Sequence, residues 1–163
     1  EMCIRDRGSM PGMNMLVDIG NGTMSILEIH DGRPMENSIS TEVFGVHQCM
    51  EKIQKEVSKH SGVEVPEMLI EPLLRNGIGD RTDAVAMTTK RIAENYTAEI
   101  MKKLIAHGYR EELVHLYIID GGGCLLQNFS DLTAKPEVTV ITDICANAKG
   151  YEALAMMKQR MRG

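Results

Sequence analysis

The spacing of the apolar residues changes along the chain, and this change restricts the fold more than any other feature. Before Thr41, apolar residues alternate with polar ones or form short runs, as in β-strands. After Thr41 they recur every three or four residues, as on one face of an α-helix. From about residue 114 onwards, strand-like and helix-like segments follow each other in turn. This order predicts an α/β fold with a mixed sheet, antiparallel at first and then parallel.

The first part of the chain is predicted to form an antiparallel meander of three strands. Short turns rich in Gly, Asn and Asp separate the apolar runs, and Pro34 stands just before the third run. The predicted strands are 15–19, 24–30 and 35–40.

The middle of the chain is predicted to be helical, and the end to alternate. Glycines follow each of the three middle helices, as expected where a helix stops. Three adjacent glycines at 121–123 are predicted to break the chain between a strand and a helix. The predicted helices are 44–60, 66–75, 84–107, a short one at 124–129 and a last one at 146–161; the predicted strands are 114–119 and 137–141.

Composition limits the kind of protein this can be. The chain has 163 residues, 43% of them hydrophobic and 25% charged, which is enough for one globular core. Its net charge of −5 disfavours direct binding to nucleic acid. Four cysteines without a Cys-x-x-Cys pair predict reduced thiols and no zinc site, and the apolar runs are too short for a membrane span. A cytoplasmic protein is expected.

The first twelve residues are set apart from the fold. Residues 1–7 resemble a translated transposase mosaic-end adapter of the kind used in sequencing, and a disordered natural tail is the alternative. Both interpretations predict that the fold begins near Met13.

The segment Asp-Ile-Gly-Asn-Gly-Thr at 18–23 has a carboxylate at the end of the first strand, followed by a turn of small residues that could bind phosphate. Glycines allow backbone N–H groups to approach an anion closely. Asp18 could hold Mg²⁺ through water or orient an attacking water, and Thr23 could add a hydroxyl contact. The alternative is purely structural, because Asn-Gly pairs commonly form hairpin turns.

Two further segments are rich in small residues. The triple glycine at 121–123 could let a flat ligand lie against the main chain near a helix N-terminus, or could serve close packing. It lacks the spacing of a dinucleotide fingerprint. Ala-Asn-Ala-Lys-Gly-Tyr at 146–151 is explained by helix packing alone.

Other polar residues carry weaker signals. Lys90 and Arg91 are predicted to lie on a solvated part of a helix. The histidines have no carboxylate or cysteine at the spacing of a triad or a metal site, so they are predicted to lie at the surface or at strand edges: His30, His47, His60, His107 and His115.

Taken together, the three segments at 18–23, 119–124 and 146–151, in this order, resemble the actin-like ATPases, and most closely the plasmid-segregation actins of the ParM/StbA group. The resemblance covers residues 13–157. It implies one half of an actin-like (RNase H-like) ATPase, the C-terminal half. It also implies a core subdomain formed by 13–43 and 108–163, with 44–107 as an inserted helical subdomain.

The resemblance also implies a site for ATP with Mg²⁺. Asp18 would orient the catalytic water or hold the Mg²⁺ ion. The sequence departs from the family pattern at two positions: at Ser25, where many members have a second acid, and at Asp120, where a small or apolar residue is usual. The phosphate contacts would come from Gly20, Asn21, Gly22 and Thr23, and the adenosine contacts from Gly121, Gly122 and Gly123.

A protein of this type would form filaments and would reach plasmid DNA through an adaptor protein, in the bacterial cytoplasm. Hydrolysis needs nucleotide held from both halves, so the chain alone is expected to be inactive and to bind ATP weakly. Two alternatives remain open: a small-molecule kinase or phosphohydrolase of the same superfamily, or a non-enzymatic half-domain that acts as a binding module.

Overall fold

A computed structural model describes residues 11–35 and 38–141. This part of the chain contains six strands, four α-helices and a short 3-10 turn. The elements are β1 Met13–Ile19, β2 Met24–His30, β3 Arg33–Pro34, β4 Ser40–Glu42, α1 Val46–Ser61, α2 Glu67–Asn76, α3 Ala84–Ala106, β5 Val114–Ile119, α4 Gly122–Phe129, the 3-10 turn Leu132–Ala134, and β6 Val138–Ile141.

The strands form one mixed sheet in the order β3-β2-β1-β5-β6, and β4 also pairs with β2. β1 is antiparallel to β2 but parallel to β5, which is parallel to β6. The predicted mixed α/β fold is therefore confirmed. Because β1, β5 and β6 run in the same direction, their carboxyl ends meet at one edge of the sheet, where Asp18 lies opposite Ile119.

The predicted third strand at 35–40 is wrong. The chain instead forms two short strands, β3 and β4, that pair with different parts of β2. Pro34 has no N–H group to extend a ladder. The hydroxyl of Ser38 donates to the carbonyl oxygen of Met35 at 2.8 Å, so Met35 and Ser38 contact each other. The turn before β3 is as predicted, since Asp31 and Gly32 both have positive φ, as a type I′ hairpin requires.

The helices begin and end close to the predicted residues. Gly62, with φ of 68°, ends α1, and the carboxylate of Asp83 caps α3 by accepting from the N–H of Ala86 at 3.1 Å. The triple glycine is not a break between strand and helix as predicted, because α4 begins at Gly122 and contains two of the three glycines. The predicted helix 146–161 lies outside the described residues.

The core lies between the helices and one face of the sheet. Every second residue of the central strands is buried there, for example Met15 and Val17 of β1 and Leu116 of β5. The helices contribute Ile53 of α1 and Ile100 of α3 to the same apolar cluster. The division of the chain into a core subdomain and an inserted subdomain at 44–107 remains a prediction. In the ranges that the structure covers, no helix is both long enough and apolar enough to cross a membrane.

Candidate functional site

The loop between β1 and β2 presents backbone N–H groups to the solvent. Gly20 donates its N–H to the carbonyl oxygen of Thr23 at 2.9 Å and closes the loop. The N–H groups of Asn21, Gly22 and Thr23 have no acceptor among the residues that the structure describes, and all three residues are exposed. Successive N–H groups without acceptors are able to bind an anion where the backbone turns them towards one point. Neither Asn21 nor Gly22 has a positive φ, so this loop is not the tight type I′ Asn-Gly turn of the structural alternative.

The N-terminus of α1 holds the opposite side of this loop. Val46 donates its N–H to the carbonyl oxygen of Gly20 at 3.0 Å, and His47 donates to that of Asn21 at 2.8 Å. A Cβ atom on Gly45 would lie 2.4 Å from the carbonyl oxygen of Asn21, so only glycine fits there. Gly45 therefore fixes the loop on the helix, a role that the sequence analysis did not assign.

Two carboxylates flank the loop at the carboxyl ends of neighbouring parallel strands. Asp18 is the penultimate residue of β1, and Asp120 directly follows β5. Asp120 adopts a left-handed conformation with φ of 70°. A Cβ on Gly20 would lie 3.4 Å from the Oδ2 atom of Asp120, so this carboxylate rests against the start of the loop. The sequence analysis recorded Asp120 only as a departure from the family pattern.

Mg²⁺ is usually held by one or two protein carboxylates together with phosphate oxygens and water. The arrangement of Asp18 and Asp120 beside the candidate phosphate loop fits that mode. No group of three or more His, Cys, Asp or Glu side chains within 11–35 and 38–141 is placed to hold a metal ion without such a ligand.

The three adjacent glycines have different surroundings. A Cβ on Gly122 would lie 2.2 Å from the Cβ of Ile19, and a Cβ on Gly123 would lie 2.7 Å from Cγ1 of Val140. These two glycines allow α4 to pack closely on β1 and β6, which is the packing alternative. A Cβ on Gly121 would meet nothing within 4 Å. Gly121 is thus the glycine of the three that borders open space.

A pocket of about 510 Å³ joins the two glycine-rich segments, because Asn21 and Gly121 both line it. Apolar side chains form one part of its wall and charged side chains of α2 another. Arg75 donates to Glu71 across one helical turn at 2.8 Å. The other lining residues are Val46, Met50, Glu67, Leu74, Asp120, Cys124 and Leu125. Lys90 and Arg91 are exposed on α3 and do not line the pocket.

The sequence analysis did not identify the α2 residues of this pocket. Glu67, Glu71 and Arg75 are spaced by four residues and so share a helix face. That spacing is also typical of an ordinary solvated face, and only the packing of α2 beside α4 places it opposite Gly121. An apolar wall with a few converging polar groups is typical of a small-molecule site.

An aromatic pair supports the Gly45 contact from within the core. The rings of Phe44 and Tyr96 stack with centroids 4.4 Å apart. The hydroxyl of Tyr96 donates to the carbonyl oxygen of Gly45 at 2.8 Å, and burial raises the pKa of this tyrosine. The ammonium groups of Lys52 and Lys103 lie over these rings, at 4.9 Å from Tyr96 and 4.7 Å from Phe44.

A polar cluster joins β4 to the end of α3. Glu42 accepts a hydrogen bond from Lys103 and lies 3.1 Å from Nε2 of His107. The bond from Lys103, followed by that from His107, holds the pKa of Glu42 below its ordinary value of 4.5. His107 is half-buried rather than fully at the surface. Its partner Glu42 lies 65 residues away in the sequence. Sequence spacing gives no signal for such a contact.

Comparison with known proteins identifies what this arrangement resembles. Residues 16–130 match the family described as archaeal actin homologue MreB-like, C-terminal. No curated protein matches the sequence.

Solved structures with the same fold include actin homologues from archaea and proteins named ParM. A ParM non-polymerisable quadruple mutant, pCBH ParM, matches with a TM-score of 0.73 and 20% identity over 94% of this chain and 49% of its own. The archaeal actin homologue Ta0583 in complex with ADP matches with a TM-score of 0.69 and 22% identity over 91% and 50%. Bacillus thuringiensis ParM with ATP matches with a TM-score of 0.67 and 15% identity over 93% and 48%. The chain therefore spans about half the length of these proteins.

Proposed function

The chain belongs to the family of archaeal actin homologues of the MreB-like type, C-terminal, and from this we propose that it forms one half of the nucleotide site of a filament-forming actin-like ATPase. The observation that carries the proposal is the shared pocket, since Asn21 of the β1–β2 loop and Gly121 line the same space, whereas Asp18, Gly20, Gly22 and Thr23 are not among its lining residues. The sequence resemblance assigned these two segments to the two ends of one ligand, ATP.

Each part of the site has a role in this proposal. The N–H groups of Asn21, Gly22 and Thr23 bind the β- and γ-phosphates, because they are exposed and lack acceptors among the described residues. Asp18 holds Mg²⁺ through water or orients the attacking water. The adenosine lies against Gly121, while Gly20, Gly122 and Gly123 let the surrounding backbone come close enough to shape the pocket.

One half of a cleft cannot complete the reaction. Phosphoryl transfer to water requires that the nucleotide be clamped and the attacking water be positioned away from bulk solvent. In this chain the N–H groups of the loop face solvent. We therefore expect weak binding of ATP and no turnover by the chain on its own.

We extend the proposal to the whole protein as a segregation device in the bacterial cytoplasm. ATP would drive assembly of copies into a filament, and an adaptor protein would link the filament to plasmid DNA. The net charge of −5 favours such an indirect link over direct contact with a phosphate backbone.

Binding of a fluorescent ATP analogue in the presence of Mg²⁺ tests the nucleotide site. Asp18→Ala removes the metal-side carboxylate, and Gly121→Leu fills the space beside the adenosine. Both variants should weaken binding by roughly tenfold or more, which is about 1.4 kcal/mol. Lys102→Ala, an exposed change on α3, is the matched control and should leave binding unchanged. Equal affinity in all four proteins would contradict the proposal.

A further inference from the structure

The carboxylate of Asp120 lies between the two segments that border the pocket of the proposed nucleotide site. Asp120 lines this pocket together with Asn21 of the β1–β2 loop and Gly121 of the triple glycine. A Cβ atom on Gly20 would lie 3.4 Å from the Oδ2 atom of Asp120, so the carboxylate lies close to the start of the loop. A phosphate group bound at the loop would therefore have a negative charge beside it.

The backbone holds Asp120 at this position. Asp18 of β1 is in register with Ile119, the last residue of β5, and Asp120 follows directly. Its φ of 70° is left-handed, a conformation that Asp and Asn adopt more readily than most residues. Its carbonyl oxygen accepts the N–H of Gly123 at 3.1 Å, in the first turn of α4. The strand on one side and the helix on the other therefore fix this residue at the edge of the pocket.

The charged side chains that line the pocket are mostly acidic. They are three carboxylates and one guanidinium, which give a net charge of −2: Glu67, Glu71, Asp120 and Arg75. Arg75 donates to Glu71 at 2.8 Å, and Nδ1 of His47 lies 3.9 Å from Glu67. Within the described residues, Asp120 is the one of the three carboxylates that has no basic partner, and it is also the one beside the loop.

This charge acts differently on two forms of a nucleotide. A free polyphosphate chain carries several negative charges, so the carboxylate of Asp120 repels it where solvent screens the charges only in part. A divalent cation bound to the phosphates reverses the effect, because Mg²⁺ prefers both carboxylate and phosphate oxygens. The same side chain therefore opposes the free nucleotide and attracts the cation-bound form.

We propose that Asp120 makes this pocket selective for nucleotide that carries a divalent cation. The inference rests on the proposed function, because it concerns the form in which nucleotide enters the same pocket. It differs from the role proposed for Asp18, since Asp120 acts by repelling nucleotide without a cation. Asp120 is also one of the two positions at which the sequence departs from the family pattern, so this selectivity is expected of this chain in particular.

Binding of a fluorescent ATP analogue to the full chain, with Mg²⁺ and with EDTA at matched ionic strength, tests the inference. The ratio of the two dissociation constants measures the preference for the cation-bound form. Asp120→Asn removes the charge and keeps both the shape of the side chain and its tolerance of the left-handed backbone. It should strengthen binding in EDTA and lower this preference by roughly tenfold, which is about 1.4 kcal/mol.

Two further variants support the comparison. Glu112→Gln is the matched control, because it removes an exposed carboxylate just before the opposite end of β5. Its preference for the cation-bound form should equal that of the unaltered chain, which excludes an effect of overall charge. Asp120→Gly is a second variant without the carboxylate, since glycine adopts positive φ readily. It should lower the preference as Asp120→Asn does.

The outcomes separate this inference from the proposed function. If ATP binds but the preference stays the same in both Asp120 variants, the inference is overturned and the proposed function stands. This includes the case in which both affinities fall equally, because Asp120 would then be a hydrogen-bond acceptor for the ligand and would not select its charge. If ATP binds to none of the proteins under either condition, the proposed function fails and this inference fails with it.

Discussion

The hydroxyl of Tyr96 donates a hydrogen bond of 2.8 Å to the carbonyl oxygen of Gly45, in the buried space between α3 and the start of α1. Gly45 in turn lies against the backbone of Asn21 in the β1–β2 loop. A core side chain of a helix thus positions the helix N-terminus on which the candidate phosphate loop rests. The loop is held from its carbonyl side, which leaves its N–H groups available to a ligand.

Gly45→Ala should disrupt this support. Its new Cβ would lie 2.4 Å from the carbonyl oxygen of Asn21, so α1 and the loop must separate. We expect a loss of about 1–3 kcal/mol in the free energy of unfolding, measured by urea denaturation. Gly22→Ala, in the same loop but with nothing within 4 Å of its Cβ, is the control and should change stability little. Similar losses in both variants would contradict the packing role of Gly45.

The triple glycine should separate into packing and open positions. Gly122→Ala brings a Cβ within 2.2 Å of the Ile19 Cβ and should lower the free energy of unfolding by at least about 2 kcal/mol. Gly121→Ala meets no atom and lies in the right-handed helical region, so its change should stay within about 1 kcal/mol. Thermal unfolding followed by circular dichroism measures both. If Gly121→Ala were the less stable of the two variants, Gly122 would not be the glycine at which α4 packs closely on β1.

The difference between these glycines shows where sequence reasoning stops. The triple glycine predicted a place where another group approaches the main chain closely. The spacing of apolar residues predicted the bounds of α1, α3 and β5 to within one or two residues. Whether that group is a ligand or a neighbouring strand depends on Ile19 and Val140, which only the register of the sheet brings to the helix.

Contacts between distant parts of the chain were equally beyond sequence patterns. In the sequence, Gly45 is simply the residue before a helix, and no spacing of residues predicts its contact with Asn21. Glu42 and His107 meet because β4 pairs with β2 beside the end of α3, and the predicted strand at 35–40 had placed this edge differently. Side chains that line the pocket from α2 look like any solvated helix face until the helix is packed.

Acid should weaken the link between β4 and α3. The pKa of Glu42 is lowered in the folded state below its ordinary value of 4.5, chiefly by the hydrogen bond from Lys103. A lowered carboxyl pKa stabilises the fold at pH values above the unfolded pKa, and this stabilisation is lost as the pH falls through the folded pKa. Glu42→Gln should therefore be less stable than wild type at about pH 7, with a gap that narrows by about pH 3.

Urea midpoints of the two proteins across this range measure the gap. The other shifted carboxyl groups are present in both proteins and cancel in the difference. A gap that stays constant with pH would show that the Glu42 charge does not stabilise the fold.

Two cysteines should differ in reactivity. Cys49 is buried, and burial raises its pKa to about 12, so it should resist alkylation at about pH 8, where reaction requires the thiolate. Cys124 is half-buried and lines the pocket, so it should react, and excess ATP with Mg²⁺ should slow that reaction. Mass spectrometry of each peptide gives the rates, with the Cys3 peptide as internal standard. If nucleotide slowed the alkylation of Cys3 and Cys124 equally, the effect would be general and would contradict binding of nucleotide in the pocket.

The central claim is that the β1–β2 loop and Gly121 bind one nucleotide, and amide NMR titration of the full chain with ATP and Mg²⁺ tests it most directly. The account predicts weak binding in which the largest shifts belong to the amides of Asn21, Gly22, Thr23 and Gly121, with loss of the loop shifts in Asp18→Ala. The account would be contradicted if these four amides did not shift in a large excess of ATP and Mg²⁺, or if the largest shifts belonged to residues elsewhere in the chain.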